Sequence, residues 1–391
     1  MYPAQTQEDG ASNFTTSSAT TGPWDLPTAY SAWGPEEHEA MQRVIRSGQF
    51  TIGPEVRAFE EEFAAHHNMK YCIMVNSGSS ANLIMIAALF AKKHRPLKRG
   101  DVALVPAIAW ATTYSPLIQY GLRLKLMDVD DSWNCQLPDV SGARLVVGCS
   151  ILGNPAPLGF LKTASESHDE FFIEDNCESL GAWHGVKRCG TFGLMNSFSF
   201  YYSHQISAIE GGCITTNDSE LNQLCRILRA HGWTRDVYPP TCFEDEYNFT
   251  HFSYNVRPLE MHAAIAREQL KKLDGFIKLR RANHQLFVDL TKGLPIKHPV
   301  IRGEPSPFGL AFSVASSETR RKLVAELREA KTDARLPTGG SFTQHAYGRP
   351  WADQATPKAD EIHRTGLFLG NGPFDLSKQI TKAVDVMKRV L

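Results

Sequence analysis

The chain has 391 residues, 42% of them hydrophobic and 21% charged, and a formal net charge of −1. That length suits two domains, or one large and one small, around a sizeable core. The balanced charge gives no broad pull toward nucleic acid or an acidic membrane surface, and no apolar run approaches the roughly 18 residues of a membrane-spanning helix.

Residues 1–23 are rich in Ser, Thr, Gln, Gly and Ala and show no apolar periodicity. They lack the cationic start and apolar stretch of a signal peptide, so a disordered tail is expected there. Further along, short apolar runs alternate with helical patterns. Residues 72–75, 103–105, 122–127, 145–147 and 171–173 read as strands, and residues 80–91 as a buried helix. Leu221, Leu224, Cys225 and Leu228 have the i, i+3, i+4, i+7 spacing of an amphipathic helix. This alternation predicts an α/β domain with a mostly parallel sheet. Another helix is expected over residues 259–286. The remainder reads as a smaller α+β region, with a charged helix at 320–331 and a terminal helix at 375–391. The expected division is a tail (1–23), a large domain (24–285) and a small C-terminal domain (286–391).

Eight cysteines stand at positions 72, 135, 149, 177, 189, 213, 225 and 242, with no C-x-C or C-x-x-C pair. That spacing argues against a zinc ribbon or an iron–sulfur cluster, and no metal is expected. Several sit in apolar runs, as reduced, buried thiols of a cytoplasmic protein would.

Mostly parallel sheets place ligands at the carboxyl ends of their strands, so polar residues that end apolar runs are the candidates. Asn76-Ser77-Gly78-Ser79-Ser80 follows a strand and opens a helix. Its glycine admits close backbone approach, and a helix start suits a phosphate. Most such junctions, however, use Gly and Ser only as turn and cap residues. Asp175 ends the run Phe171-Phe172-Ile173-Glu174-Asp175. A carboxylate there can pair with a protonated pyridine nitrogen, or simply cap the next loop. Ser199 has a hydroxyl suited to a phosphate, and it is followed by His204 and by Glu210-Gly211-Gly212. A lone histidine is more often structural than catalytic. Trp110 follows the strand at 103–105; its face could stack on a ring or fill a gap in the core.

Together and in this order, these signals resemble the DegT/StrS family of nucleotide-sugar aminotransferases, from about residue 28 to the C-terminus. The resemblance implies a fold type I transferase dependent on pyridoxal phosphate. It puts Ser77-Gly78-Ser79 at the phosphate turn, Asp175 at the pyridine nitrogen, Ser199 at the phosphate and Trp110 over the ring. Glu178, three residues after Asp175, is implied near the ring's phenolic edge or a water. Tyr254-Asn255-Val256-Arg257 resembles the segment that crosses to a partner subunit. It implies a homodimer in which Asn255 reaches the neighbour's cofactor phosphate. Arg257, His231 and Arg235 are implied in binding glutamate or the sugar substrate.

One departure is informative. The family usually reads K-N-x-x-x-x-E-G-G; here the run is His204-Gln205-Ile206-Ser207-Ala208-Ile209-Glu210-Gly211-Gly212. No lysine lies nearby, since Lys187 belongs to an earlier polar turn. A lysine both holds the cofactor covalently and shuttles a proton. An imidazole can do only the second, near neutral pH. Histidine here resembles the subgroup of nucleotide-sugar 3-dehydratases. That subgroup implies L-glutamate as co-substrate, the pyridoxamine form of the cofactor, loss of a C3 hydroxyl and release of ammonia. The implied substrate is a nucleotide-linked 4-keto-6-deoxy sugar, first GDP-4-keto-6-deoxy-D-mannose. The loops at 50–54 and 335–342 are expected to face it. Three other readings stay open: a conventional aminotransferase, a dehydratase of another keto-sugar, and an inactive cofactor-binding regulator.

Overall fold

A computed structural model describes residues 23–391, so nearly all of the expected tail lies outside the described residues. Two helices, α1 (Pro35–Ser47) and α2 (Pro54–His66), precede the first strand. Then β1 (Tyr71–Val75), α3 (Gly78–Ala91), β2 (Val102–Pro106), α4 (Ala111–Gln119), β3 (Arg123–Met127), β4 (Leu145–Cys149), α5 (Leu158–Ser167) and β5 (Phe171–Asp175) alternate. A short hairpin, β6 (Trp183–His184) and β7 (Lys187–Arg188), leads to β8 (Met195–Ser199), β9 (Gly212–Thr216) and α6 (Ser219–Leu228). Lys187, expected in a polar turn, is thus paired in the hairpin opposite His184.

Seven of these strands form one sheet in the order β1-β9-β8-β5-β4-β2-β3. Every neighbouring pair is parallel except those made by β9, which runs antiparallel to β1 and β8. Buried apolar clusters cover both faces: Ile73, Ile84, Leu145 and Ile214 belong to one, Phe59, Phe63, Phe198 and Ile265 to another. The expected strands at 72–75 and 122–127 end where β1 and β3 do, whereas those at 103–105, 145–147 and 171–173 end too early. β5 continues through Glu174 and Asp175, both buried. Glu174 is accommodated because its carboxylate accepts the N–H groups of Gly190, Phe192 and Gly193. Strands β8 and β9 carry polar residues that satisfy one another inside the sheet, such as Asn196 Nδ2 donating to Thr215 Oγ1 at 3.1 Å. Such residues hide a strand from any hydrophobic pattern.

The 31-residue helix α7 (Glu260–Leu290) spans about 46 Å at its 1.5 Å rise per residue. Its first half packs on α1 and α2, while Phe287, near its end, enters a second core. That core lies under a four-stranded antiparallel sheet of β10 (Ile296–Lys297), β11 (Gly309–Val314), β12 (Ala334–Arg335) and β13 (Gly366–Gly370). Helices α8 (Ser317–Glu329) and α10 (Ser377–Val390) complete it, while α9 (Pro357–Thr365) buries Ala359 and Ile362 in the cluster that holds Ile73 and Leu145. The boundary expected at 285/286 falls inside α7. Leu26 and Tyr30, from the start of the described chain, also join the second core. Among the described residues no helix is long and apolar enough to cross a membrane.

Candidate active site

Asp175 ends β5 beside Cys149 of β4 and Ser197 of β8, so neighbouring strands fix its position. The residue is 4% exposed. Its Oδ2 accepts Asn82 Nδ2 at 2.8 Å and Thr113 Oγ1 at 2.7 Å, and its Oδ1 accepts the Cys177 N–H at 3.1 Å. Ser197 Oγ donates to Asn82 Oδ1 at 2.6 Å, which fixes the amide's orientation. Three elements thus aim one carboxylate, and Oδ1 keeps acceptor capacity for one more donor.

The start of α3 lies next to it. Ser77 caps the helix by accepting the Ser80 N–H, so the N–H groups of Gly78 and Ser79 are left without intrahelical partners. A Cβ on Gly78 would stand 2.5 Å from the Cβ of Ser199 and 2.8 Å from Cys177 Sγ. Only glycine lets the helix start, the β8 end and the β5 end converge in this way. Ser79 Oγ and Thr112 Oγ1 are 2.8 Å apart, which ties the start of α3 to that of α4. Trp110 precedes α4 and is 56% exposed, a large apolar surface beside the helix start. The residues therefore fit a flat aromatic cofactor with a phosphate: hydroxyls and free N–H groups at the helix start, a carboxylate at the end of β5, and an exposed indole at the start of α4.

His204 lies in the connector from β8 to β9, which doubles back on itself. Ala208 N donates to Phe200 O and Phe200 N to Gly211 O, each at 2.9 Å. The ring is half-buried, edge-on to Phe308 at 5.1 Å and to Tyr201 at 5.8 Å. Its Nδ1 lies 3.3 Å from Ser203 Oγ, and Nε2 has no hydrogen-bond partner among the described residues. Burial, and then the charge of Arg280, push the imidazole pKa down to about 3. The ring is neutral at neutral pH and able to accept a proton. Glu178 is half-buried, and its Oε2 accepts the Leu152 N–H at 2.7 Å and the Thr338 hydroxyl at 2.9 Å. Burial raises its pKa to about 7.

The remaining sequence-derived candidates lie elsewhere on the chain. Asn255 is exposed and bridges to Ala230. Arg257 Nη1 and His231 Nε2 are 2.7 Å apart, and the Arg235 guanidinium lies 3.9 Å over the Trp233 ring. An open pocket of about 280 Å³, lined by Arg57, Trp233, Arg235 and Arg257 among others, collects these cations. No hydrogen bond joins this group to Asp175, Ser199 or His204 among the described residues. Sequence reasoning missed Asn82, Thr113, Gln205 and Arg280, and it gave Thr338 only as part of the loop at 335–342. Asn82 alone left a signal, as a single amide inside the apolar run SANLIMIAALFA.

Residues 32–388 match the model of the DegT/DnrJ/EryC1/StrS aminotransferase family. The chain is 40% identical, over 93% of its length and 98% of the relative's, to a GDP-4-keto-6-deoxy-D-mannose 3-dehydratase of Yersinia pseudotuberculosis. Among solved structures, GDP-4-keto-6-deoxymannose-3-dehydratase with a trapped PLP-glutamate geminal diamine superposes with a TM-score of 0.89 at 38% identity, covering 93% of this chain and 100% of the other. A mutant of that dehydratase with bound GDP-perosamine gives a TM-score of 0.88 at 38% identity, with the same coverage of both chains.

Proposed function

We propose a function from the premise that this chain belongs to the DegT/DnrJ/EryC1/StrS aminotransferase family. It is a pyridoxal phosphate-dependent 3-dehydratase of a nucleotide-linked 4-keto-6-deoxy sugar, with GDP-4-keto-6-deoxy-D-mannose as substrate and L-glutamate as the source of the amine. The observation that carries this is His204: an imidazole, with no lysine in its loop, follows the serine that ends β8.

The chain's own residues divide the work. Gly78, Ser79 and Ser199 hold the phosphate, and Trp110 covers the ring. Asp175 faces the ring nitrogen and holds its proton, since a fixed buried carboxylate favours that cation. When bound, the protonated pyridine supplies the electron sink that permits loss of the C3 hydroxyl. His204 would take at Nε2 the proton released from the substrate-bound cofactor and give it to the departing C3 oxygen, which leaves as water; this needs a ring that is neutral at rest. The enamine that leaves the site hydrolyses to the 3-deoxy-4-keto sugar and ammonia. Arg257, His231 and Arg235 bind the glutamate carboxylates or the substrate diphosphate, for which Arg offers bidentate pairing.

The carbonyl of Val256, between Asn255 and Arg257, accepts the Asn76 N–H at 3.0 Å, which sets this segment beside the phosphate turn, and the exposed position of Asn255 supports a homodimer with shared sites. Asn255 then contributes to the partner's phosphate. The reading is tested by offering GDP-, CDP- and dTDP-linked 4-keto-6-deoxy sugars with glutamate and following ammonia. The GDP sugar is expected to release ammonia stoichiometrically with 3-deoxy product. A 4-amino sugar as main product would establish a transaminase instead. In His204→Lys, ammonia release is expected to fall about 100-fold, and the absorbance should become that of covalently held cofactor. Full dehydration by that variant would remove His204 from the reaction.

A further inference from the structure

Arg280 projects from α7 and is 1% exposed, yet no carboxylate pairs with it among the described residues. Its two terminal nitrogens instead meet main-chain carbonyls, while Nε is buried without a partner. Nη1 donates to Asn371 O at 2.5 Å and to Phe308 O at 3.3 Å, and Nη2 to His204 O at 3.5 Å. Asn371 returns the contact, its Nδ2 donating to Arg280 O at 3.0 Å and to Pro307 O at 3.1 Å. A buried, unpaired cation is costly, and a Met or Leu would fill the same space without that cost. What distinguishes the guanidinium is where it reaches. It grips the main chain of His204 and that of Phe308, whose ring lies edge-on to the His204 imidazole at 5.1 Å. On the other side, Gln205 Nε2 donates to Glu178 O at 2.7 Å and to Ser306 O at 3.2 Å.

We propose that Arg280 is a positioning residue for His204: it fixes the imidazole through the main chain, and its uncompensated charge makes the ring a carrier that does not retain its proton. This rests on the dehydratase reading above. The groups around the ring support it. From its own loop come Tyr201 and Ser203, from β11's lead-in Phe308, and from α7 Arg280. Glu178 acts only through the main-chain bond to Gln205, and Tyr30 lies in the field of Arg280, not in contact with the imidazole. Arg280 is the cation among them, and its charge disfavours the imidazolium. An imidazolium formed during turnover is therefore pressed to release its proton to the leaving oxygen.

The test uses the full-length protein with Arg280→Met, Arg280→Gln and Arg280→Lys. Two quantities are read: kcat and KM for the nucleotide sugar, and the pH at which His204 of the cofactor-free protein stops reacting with diethyl pyrocarbonate, followed by peptide mass. The neutral variants are expected to lower kcat about 30-fold with KM within about threefold. They should also move the acid fall-off of His204 modification upward by one to two pH units, about what removal of a nearby cation produces. In Arg280→Lys the ammonium is still charged at the low pH of that fall-off, so the fall-off is expected to stay in place while loss of the forked main-chain contacts lowers kcat. If neither neutral variant folds, the kcat of Arg280→Lys decides. A fall-off unmoved in a neutral variant that folds, or a kcat within about threefold of wild type, overturns the proposal. If the wild-type enzyme releases no ammonia from any sugar, the dehydratase reading fails, while the modification experiment still judges Arg280.

Discussion

Asp175 and Arg257 stand at opposite extremes. Asp175 is 4% exposed, and side chains or main chain from α3, α4 and the turn after β5 donate to it within 3.1 Å. Arg257 has one side-chain partner, His231, and lines an open pocket. Around Asp175 every donor and acceptor is already placed by the sheet, so the reacting centre is preorganised before anything binds. The arginine pocket is sparse: three arginines to one carboxylate, Asp236, with an exposed Asn255 nearby. The two regions thus differ in build: one carboxylate is held rigidly, and the cations line a pocket left open.

The rigid half gives the largest expected effect. Asp175→Asn keeps the shape but replaces the acceptor that holds the ring nitrogen's proton, and it puts an NH₂ where Asn82, Thr113 or the Cys177 N–H donates. Activity is expected to fall on the order of 10³-fold, the scale of removing a preorganised charge partner. Steady-state ammonia release measures it. A loss below about tenfold would mean that Asp175 does not face the ring, and the contrast with the open pocket would lose its basis.

A smaller effect probes the other half. Asn255→Ala is expected to cost about tenfold, as loss of one phosphate contact does. Mixing its subunits with Asp175→Asn subunits sharpens the comparison. If Asn255 serves the partner's site, a hybrid dimer has one site with both residues intact. An equal mixture should then regain roughly a quarter of wild-type activity, because half of the dimers are hybrids with one working site each. No recovery after subunit exchange would mean that the Asn255 and Asp175 of one site come from the same chain.

The same contrast explains what the sequence makes legible. Strand–helix alternation and the strand-end positions of Gly78, Asp175 and Ser199 are local facts, and each stands where a parallel sheet presents ligands. His204 is legible only against the family pattern, since one histidine in a polar loop carries no signal of its own. Arg280 is not legible at all, and Thr338 only as part of a loop expected to face the substrate. Their partners, the His204 carbonyl and the Glu178 carboxyl, lie 76 and 160 residues away in the chain, and only packing of α7 and the small domain onto the sheet joins them. The extent of β8 is hidden for a related reason: Asn196 and Ser197 are buried polar residues whose partners come from β9 and α3.

Glu178 belongs to neither extreme, and its charge can be read by stability alone. Its folded pKa is about 7, raised from 4.5 by burial. A carboxyl raised on folding is favourable in its protonated form, so its contribution is fully present below the unfolded pKa. That contribution is lost as pH rises through about 7. The shift corresponds to about 3 kcal/mol if fully expressed. Because the side chain is only half-buried, about 1–2 kcal/mol is the expected loss between pH 5 and pH 8. Glu178→Gln stays neutral throughout, and its amide oxygen can still accept from Leu152 N and Thr338 Oγ1. In urea unfolding of the cofactor-free protein, the variant should therefore gain stability over wild type at pH 8 relative to the difference at pH 5. An identical difference at the two pH values would mean that Glu178 ionises like a surface carboxylate, and that its contact with Thr338 joins the small domain to the sheet without any electrostatic cost.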